Sequence, residues 1–156
     1  MANQPWSDED VTPGRIIVVT DNPISRSIVA VATAIGRETI LLTDDPLGWL
    51  QHNRLAPSDS VVFCDHDEPG AATMRDLVLN GPASYVGMVG SRGRAAKVFE
   101  EYAARPDAPA GFERLQMPIG LNLGGRSGPE MALSIVAQIV ASSYGRAGGP
   151  MKEPAG

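Results

Sequence analysis

The chain has 156 residues, of which 43% are hydrophobic, and it carries a formal net charge of −5. A chain of this length buries about 70% of its unfolded surface as one domain, and the lack of any block of basic residues excludes a nucleic-acid or anionic-membrane partner. It holds one cysteine, no signal-peptide pattern and no apolar run near the roughly 18 residues of a membrane span, so we expect a cytoplasmic protein.

Short apolar runs alternate with amphipathic stretches along the chain. The runs RIIVVT, TILLT, SVVFC and SYVGMV predict strands, and a helical pattern follows each of them. The predicted helices cover residues 24–36, 46–53, 68–81, 93–105 and 128–144. This alternation is typical of βαβ units, so the predicted fold is α/β: a single Rossmann-like three-layer domain with a mostly parallel sheet and helices on both faces.

The ends of the chain differ in composition from its middle. Residues 1–13 and 145–156 are polar and rich in glycine and proline, which predicts mobile tails around a domain of residues 14–144. Within that domain, residues 105–118 predict a loop with one short strand. The helix over residues 130–143 is so apolar that it is either buried in the domain or part of a homodimer interface.

The turn after the first strand reads TDNPIS, where a dinucleotide site has the glycine pattern G-x-G-x-x-G. Thr20, Asn22 and Ser25 put side chains where the phosphates would lie. Pro23 removes a backbone donor and Asp21 adds a like charge. We therefore predict that this turn does not cradle a pyrophosphate, and that any anion binding uses the GSRGR and GGRSG segments instead.

Two aspartates follow the second strand. Asp44 lies 24 residues after Thr20, close to the spacing of the carboxylate that binds ribose hydroxyls in dinucleotide sites. Alternatively, Asp44 or Asp45 caps the helix that begins near Pro46.

A polar cluster, Asp65, His66 and Asp67, follows the third strand. A histidine between carboxylates can titrate near neutrality or help to hold a metal, although a metal would need further ligands and the other histidine is His52. The alternative is a turn in which Asp67 or Glu68 caps the next helix.

The fourth strand runs into GMVGSRGRAAK, which is the strongest candidate for an anion site. Gly90 allows close backbone packing, Ser91 can cap the helix, and Arg92 and Arg94 bring positive charge to a helix N-terminus that already favours anions. The alternative is a surface helix start with solvated basic residues.

A comparable glycine-rich turn occurs in GLNLGGRSGPE. Ser127 and Glu130 fit the S-x-x-E capping box, while Gly124 and Arg126 precede the helix. Whether Arg126 faces a ligand is left open by the pattern.

The segments YVGMVGSRGRAAKV and MPIGLNLGGRSGPEMALSIVAQIVA resemble the C-terminal Rossmann-type domain of the xanthine dehydrogenase accessory factor (XdhC/CoxI) family, over about residues 15–143. The resemblance implies a protein that binds molybdenum cofactor and delivers it, after sulfuration, to molybdenum hydroxylases. It also implies a cofactor-maturation or chaperone role, with the Rossmann domain binding a nucleotide or a pterin phosphate such as molybdopterin.

Several positions match motifs of that family. Gly90, Ser91 and Arg92 fall on its GSR motif, and residues 118–121 fall on its PIGL motif. The other matches are Pro129 and Glu130 on a helix-opening PE, and His66 and Asp67 on a T-H-D segment whose threonine is Asp65 here.

The sequence differs from the family pattern in two ways, and these differences bear on the partners that we expect. The glycine-containing turn of the family, of the form GAGH, is replaced by residues 20–23, and the chain has no room for the N-terminal domain of full-length members. We expect a molybdenum hydroxylase as client and a separate protein that supplies the N-terminal-type domain.

Two other functions compete with an accessory role. An NAD(P)-dependent oxidoreductase is disfavoured because the glycine turn is missing and no Tyr-x-x-x-Lys pair lies in a suitable helix. A Rossmann module that has lost its ligand and acts only in protein–protein interaction is favoured by the substituted glycines and disfavoured by the surviving GSR and PIGL segments. The sequence favours a non-catalytic binding protein.

Overall fold

A computed structural model describes residues 13–153 of the chain. The four predicted strands before residue 90 and the five predicted helices are present in it, with ends that differ by a few residues. The strands are β1 (Ile16–Val19), β2 (Thr39–Leu42), β3 (Ser60–Phe63) and β4 (Tyr85–Met88). The helices are α1 (Pro23–Ala34), α2 (Pro46–His52), α3 (Ala71–Leu79), α4 (Arg92–Ala104) and α5 (Gly128–Ser143), with a single 3-10 turn at Phe112–Arg114.

The described strands form one sheet in the order β2-β1-β3-β4, and all of its pairs are parallel. The chain moves from β1 to β2 in one direction and from β2 through β3 to β4 in the other. Because such crossovers are right-handed, α1 covers one face of the sheet and α2 and α3 cover the other. The predicted Rossmann-like α/β fold is confirmed, and the strand order reverses between β1 and β3.

Two hydrophobic clusters sandwich the sheet, because successive side chains of a strand point to opposite faces. Ile16 and Val18 of β1 pack against α1 and α5, while Ile17 and Val19 pack against α2, α3 and α4. The largest fully buried side chains from the helices are Ile28, Ile135 and Ile139 on the first face and Met74 and Tyr102 on the second.

The apolar composition of α5 is explained by burial within the domain. Its residues Ile135 and Ile139 are fully buried against the sheet and α1. Arg37, which precedes β2, donates to the hydroxyl of Ser143 at 3.1 Å, so the C-terminus of α5 lies at the amino edge of the sheet. Its N-terminus therefore lies at the carboxyl edge, beside that of α1. A homodimer stays a prediction.

The predicted loop over residues 105–118 is confirmed, but in place of the predicted short strand the structure has a 3-10 turn and one isolated bridge. Gln116 forms a single parallel bridge with Gly87 of β4, in which its amide donates to the Val86 carbonyl at 2.8 Å and its carbonyl accepts from Met88 at 3.0 Å. The loop thereby covers part of the outer edge of β4.

The PIGL motif packs between this edge and α5. A Cβ at Gly87 would collide with Ile119, so the glycine leaves room for the isoleucine. Gln138 of α5 accepts from the Gly120 amide at 2.9 Å and from the Tyr85 hydroxyl at 2.6 Å. The motif therefore has a structural role: it holds the segment after residue 117 against β4 and α5.

The predicted tails fall mostly at the limits of the structure. Residues 1–12 and 154–156 lie outside the described residues, and mobility of the tails stays a prediction. In the described part of the C-terminal tail, Gly148 lies against Leu121 and Ala141. No helix among residues 13–153 is long and apolar enough to cross a membrane.

A buried ion pair joins the amino ends of β1 and β3. Arg15 donates from Nε and Nη2 to the two carboxylate oxygens of Asp59, at 3.0 and 2.7 Å, and the Ala56 amide donates to the same carboxylate at 2.7 Å. The Asp59 side chain is only 2% exposed. Burial alone would raise the pKa of Asp59, but the hydrogen bonds from Arg15 and Ala56 hold it below its usual value.

We predict that Asp59→Asn lowers the free energy of unfolding by about 2 kcal/mol at neutral pH, because charge-assisted hydrogen bonds of this kind contribute that much. A carboxylate whose pKa is depressed by folding stabilises the protein above its unfolded pKa and loses that contribution as the pH falls through the folded pKa. Urea unfolding should therefore show a gap between the parent and the variant above about pH 5 that closes below about pH 4. A gap that does not change with pH would contradict the role of the charge.

Candidate functional site

The carboxyl ends of β1 and β3 define the place where open α/β sheets bind ligands, since the strand order reverses there. The side-chain amide of Asn22 donates to the Cys64 carbonyl at 3.1 Å and so joins the two turns that follow these strands. Burial, together with the nearby charge of Asp65, raises the pKa of the Cys64 thiol to about 12, so this cysteine is not a nucleophile at neutral pH.

The start of α1 satisfies its own backbone donors. Asn22 accepts from the Ser25 amide at 3.0 Å and the Ser25 hydroxyl accepts from the Asn22 amide at 2.7 Å, a reciprocal capping box. Pro23 has no N–H, so Ile24 holds the one free amide of the first three helical positions. This geometry supports the prediction that TDNPIS does not cradle a pyrophosphate.

Thr20 carries an unexpected strain at this turn. Its φ is +80°, in the left-handed region that β-branched residues rarely adopt, and its buried hydroxyl has no hydrogen-bond partner among residues 13–153. The sequence indicated Thr20 as a side chain in place of a glycine of the phosphate-binding turn, but it did not indicate this backbone conformation. The structure shows why a glycine suits the position.

Four of the predicted site residues come together between the turns after β3 and β4. A Cβ at Gly90 would lie 3.5 Å from His66 Cδ2 and 3.6 Å from Arg94 Cγ. Arg94 Nη2 is 3.8 Å from Asp67 Oδ1. The Nδ1 atom of His66 is 3.1 Å from the same oxygen, but the two are not aligned as a hydrogen bond. We call His66, Asp67, Gly90 and Arg94 the β3–β4 cluster.

The N-terminus of α4 adjoins the β3–β4 cluster and keeps free donors. The Ser91 hydroxyl accepts from the Arg94 amide at 3.1 Å, which confirms the predicted cap. The amides of Arg92 and Gly93 have no acceptor among residues 13–153, and the first turn of the helix has no acidic residue. Arg92 itself is exposed. These groups can hold an anion in the way that helix N-termini do.

The alternative in which Asp67 or Glu68 caps α3 is wrong. Asp65 instead accepts from the Asp67 amide at 2.9 Å, and the helix begins later, at Ala71. Its N-cap is Gly70, whose φ of +80° is accessible because glycine has no Cβ. The chain therefore makes a turn before α3 that leaves Asp67 in the β3–β4 cluster.

The aspartates after β2 have separate positions. Asp45 caps α2 by accepting from the Gly48 amide at 3.1 Å, which confirms one of the predicted alternatives, whereas Asp44 is exposed and does not cap. Strand β1 lies between β2 and β3, which places the ends of those strands about 10 Å apart. Asp44 is thus not part of the β3–β4 cluster.

The turn before α5 reaches the same edge of the sheet. The Ser127 hydroxyl accepts from the Glu130 amide at 3.2 Å, which confirms the cap, but no bond from the Ser127 amide to the Glu130 carboxylate completes the predicted capping box among the described residues. Gly124 has a φ of +88°. Arg126 is exposed, and no hydrogen bond or ion pair within residues 13–153 joins it to the β3–β4 cluster. Its role in ligand binding stays a prediction.

A metal at His66 finds no support in the geometry. In the part of the chain that the structure describes, no three His, Cys, Asp or Glu side chains come together in a group that could hold a metal ion. The imidazole of His66 lies beside Asp67, with its Nδ1 atom 3.1 Å from Oδ1 of that residue.

The sheet order and the turns at its carboxyl edge define a Rossmann-like α/β domain with a potential ligand site at the reversal of strand order. A family model described as the XdhC Rossmann domain matches residues 16–139, and the chain belongs to this family. The resemblance carried by the GSR and PIGL segments is thereby confirmed.

Three similar proteins extend this comparison. The chain is 24% identical to a probable xanthine dehydrogenase subunit of Bacillus subtilis over 88% of its length and 39% of that protein. It is 24% identical to uncharacterized protein YqeB of Escherichia coli over 64% of its length and 18% of that protein. A crystal structure of a xanthine dehydrogenase from Bacillus halodurans has the same fold, with a TM-score of 0.71 and 22% identity over 90% of this chain and 48% of that one. The chain spans less than half the length of each.

We predict that Thr20→Gly is more stable than Thr20→Ala by about 0.5–1 kcal/mol. Both variants remove the unpaired hydroxyl, but only glycine relieves the left-handed backbone, a gain of about 1–2 kcal/mol that exceeds its larger entropy loss on folding. Chemical denaturation of the two variants measures the difference. Greater stability of the alanine variant, the usual order at an ordinary backbone conformation, would contradict the strain at this position.

Proposed function

We propose that the chain is an accessory protein for the maturation of a xanthine dehydrogenase-type molybdenum hydroxylase, and that it binds a phosphate-bearing cofactor or nucleotide rather than catalysing a reaction. Membership of the XdhC Rossmann domain family supports this link, as does the similarity to a probable xanthine dehydrogenase subunit of Bacillus subtilis. The partner of this role is the client hydroxylase.

The observation that carries the proposal is the open N-terminus of α4. Two amides of its first turn, those of Arg92 and Gly93, have no acceptor among the described residues, and two guanidinium groups lie within the same turn. The β3–β4 cluster adds the imidazole of His66 beside them. These groups fit a phosphate, which Arg92 and the free amides would hold.

The difference between the N-termini of α1 and α4 favours one class of phosphate ligand over another. The capping box at Asn22 and Ser25 uses the donors that a pyrophosphate would need, and Asp21 in the same turn is paired with Arg26 at 2.8 Å. A phosphate ester bound at α4, such as molybdopterin, suits this edge better than a dinucleotide that spans both helix starts. Asp67 limits the positive charge of the site, since it lies 3.8 Å from Arg94.

Thermal-shift titration of the ligand-free protein with molybdopterin, NADPH, AMP and CTP tests the proposal. A ligand at about 100 times its Kd raises the free energy of unfolding by about 2.7 kcal/mol. We predict that molybdopterin stabilises the protein and that Arg92→Ala raises its Kd at least about tenfold, because a charge-assisted hydrogen bond contributes about 1.5–3 kcal/mol.

Lys97→Ala is the matched control, since Lys97 is an exposed cation one turn further along α4. It should leave the Kd nearly unchanged, and neither variant should alter the stability of the free protein. Stabilisation by NADPH that is lost in Asn22→Ala and kept in Arg92→Ala would overturn the proposal in favour of an NAD(P)-dependent oxidoreductase. If no ligand stabilises the protein, the chain is a module for protein–protein interaction.

A further inference from the structure

One carboxylate oxygen of the β3–β4 cluster lies between two basic side chains. Asp67 Oδ1 is 3.1 Å from Nδ1 of His66 and 3.8 Å from Nη2 of Arg94. The side chain of Asp67 is 72% exposed, whereas Nδ1 of His66 is shielded from solvent and has no hydrogen-bond partner among residues 13–153. The cluster therefore contains a buried ring nitrogen without a partner, and the acceptor close to it is shared with Arg94.

A proton on His66 changes how this oxygen is shared. The imidazolium has N–H groups at both ring nitrogens, so Nδ1 becomes a charged donor that a small rotation of either side chain aligns with Asp67. Charge-assisted hydrogen bonds of this kind are about twice as strong as neutral ones. With a neutral ring, Arg94 is the one charged partner of Asp67 among residues 13–153. Protonated His66 thus competes with Arg94 for the same carboxylate.

We propose that His66 and Asp67 make anion binding at the N-terminus of α4 dependent on pH. At low pH, protonated His66 pairs with Asp67 and leaves Arg94 to bind the anion beside the free amides of Arg92 and Gly93. At high pH, Asp67 pairs with Arg94 and repels an anion as a like charge. This inference rests on the anion site of the proposed function and adds the regulation of that site.

The charged groups around His66 give the sign of this effect. Asp65, in the same turn, accepts from the Asp67 amide at 2.9 Å and adds a second negative charge that favours the proton. Arg94 of α4 opposes the proton until an anion draws it away, and Gly90, from the segment after β4, has no charge. Because histidine titrates between about pH 5 and pH 8, anion affinity should be highest at the acid end of that range and fall as the pH rises through it.

NMR titration of the isotope-labelled chain with sulfate, at constant ionic strength, tests the proposal. The charge of sulfate does not change over the range from about pH 5.5 to about pH 8 in which histidine titrates. The backbone amide signals of Arg92 and Gly93 should shift on binding. The Kd for sulfate should be about two- to fivefold lower at about pH 5.5 than at about pH 8, which is the factor that an exposed ion pair accounts for.

Four variants separate the effect of the two residues from that of the overall charge. His66→Gln and Asp67→Asn should each remove the pH dependence, and Asp67→Asn should have, at high pH, the lower Kd that the parent has at low pH. His52→Gln is the matched control for the histidine, since His52 is the other histidine of the chain and lies at the end of α2. Glu101→Gln removes an exposed carboxylate further along α4. Both controls should keep the pH dependence of the parent.

The amide signals distinguish failure of this inference from failure of the anion site. Equal affinity at both pH values, or a pH dependence that survives in Asp67→Asn, would overturn the inference and leave the site intact. If the amides of Arg92 and Gly93 do not shift at either pH, the anion site is itself wrong, and this inference with it. Should His66→Gln fail to fold, the ring signals of the parent decide: sulfate should move the titration of His66 to higher pH and leave that of His52 in place.

Discussion

The pairing of β1 with β3 is the contact on which the rest of the molecule depends. The ion pair of Arg15 and Asp59 joins the amino ends of the two strands, and the hydrogen bond from Asn22 to the Cys64 carbonyl joins the turns at their carboxyl ends. Because the strand order reverses between these two strands, the helices that follow them cover opposite faces of the sheet. The same pairing therefore divides the core in two and brings the loops of the candidate site to one edge.

The helix N-termini at that edge differ in how many of their backbone amides already have a hydrogen-bond acceptor within the protein. This difference decides where an anion can bind. All have partial positive charge, yet α1 uses its amides within a capping box and has a proline at its first position. In α4 the cap takes one amide, that of Arg94, and leaves two others without a partner among the described residues. A phosphate at α1 would find one free amide, that of Ile24, whereas one at α4 would find two beside a pair of guanidinium groups.

Much of the fold could be predicted from sequence because local pattern determines it. The apolar run of β1, the apolar stripe of α1 and the serine caps of α4 and α5 each follow from a few neighbouring residues. The β3–β4 cluster could not be predicted with the same certainty, since the approach of His66 to Gly90 depends on strand order. Glu68 failed as a helix cap because Gly70 ends the turn in a conformation that sequence spacing does not reveal. Likewise, the left-handed backbone of Thr20 falls on a β-branched residue, for which the local sequence predicts an ordinary conformation.

The motifs shared with the family do not all have the same meaning. The PIGL segment packs through Ile119 on Gly87 and through Gly120 on Gln138, so selection for a packed sheet edge is enough to retain it in a protein with any ligand or none. The GSR segment is different: Ser91 is needed for the cap, but Arg92 is exposed and bonds nothing among residues 13–153. A side chain without a structural partner contributes little to stability, and the proposed phosphate site gives Arg92 a role that packing does not. Substitution of Arg92 therefore tests the proposed ligand site more directly than substitution within the PIGL segment does.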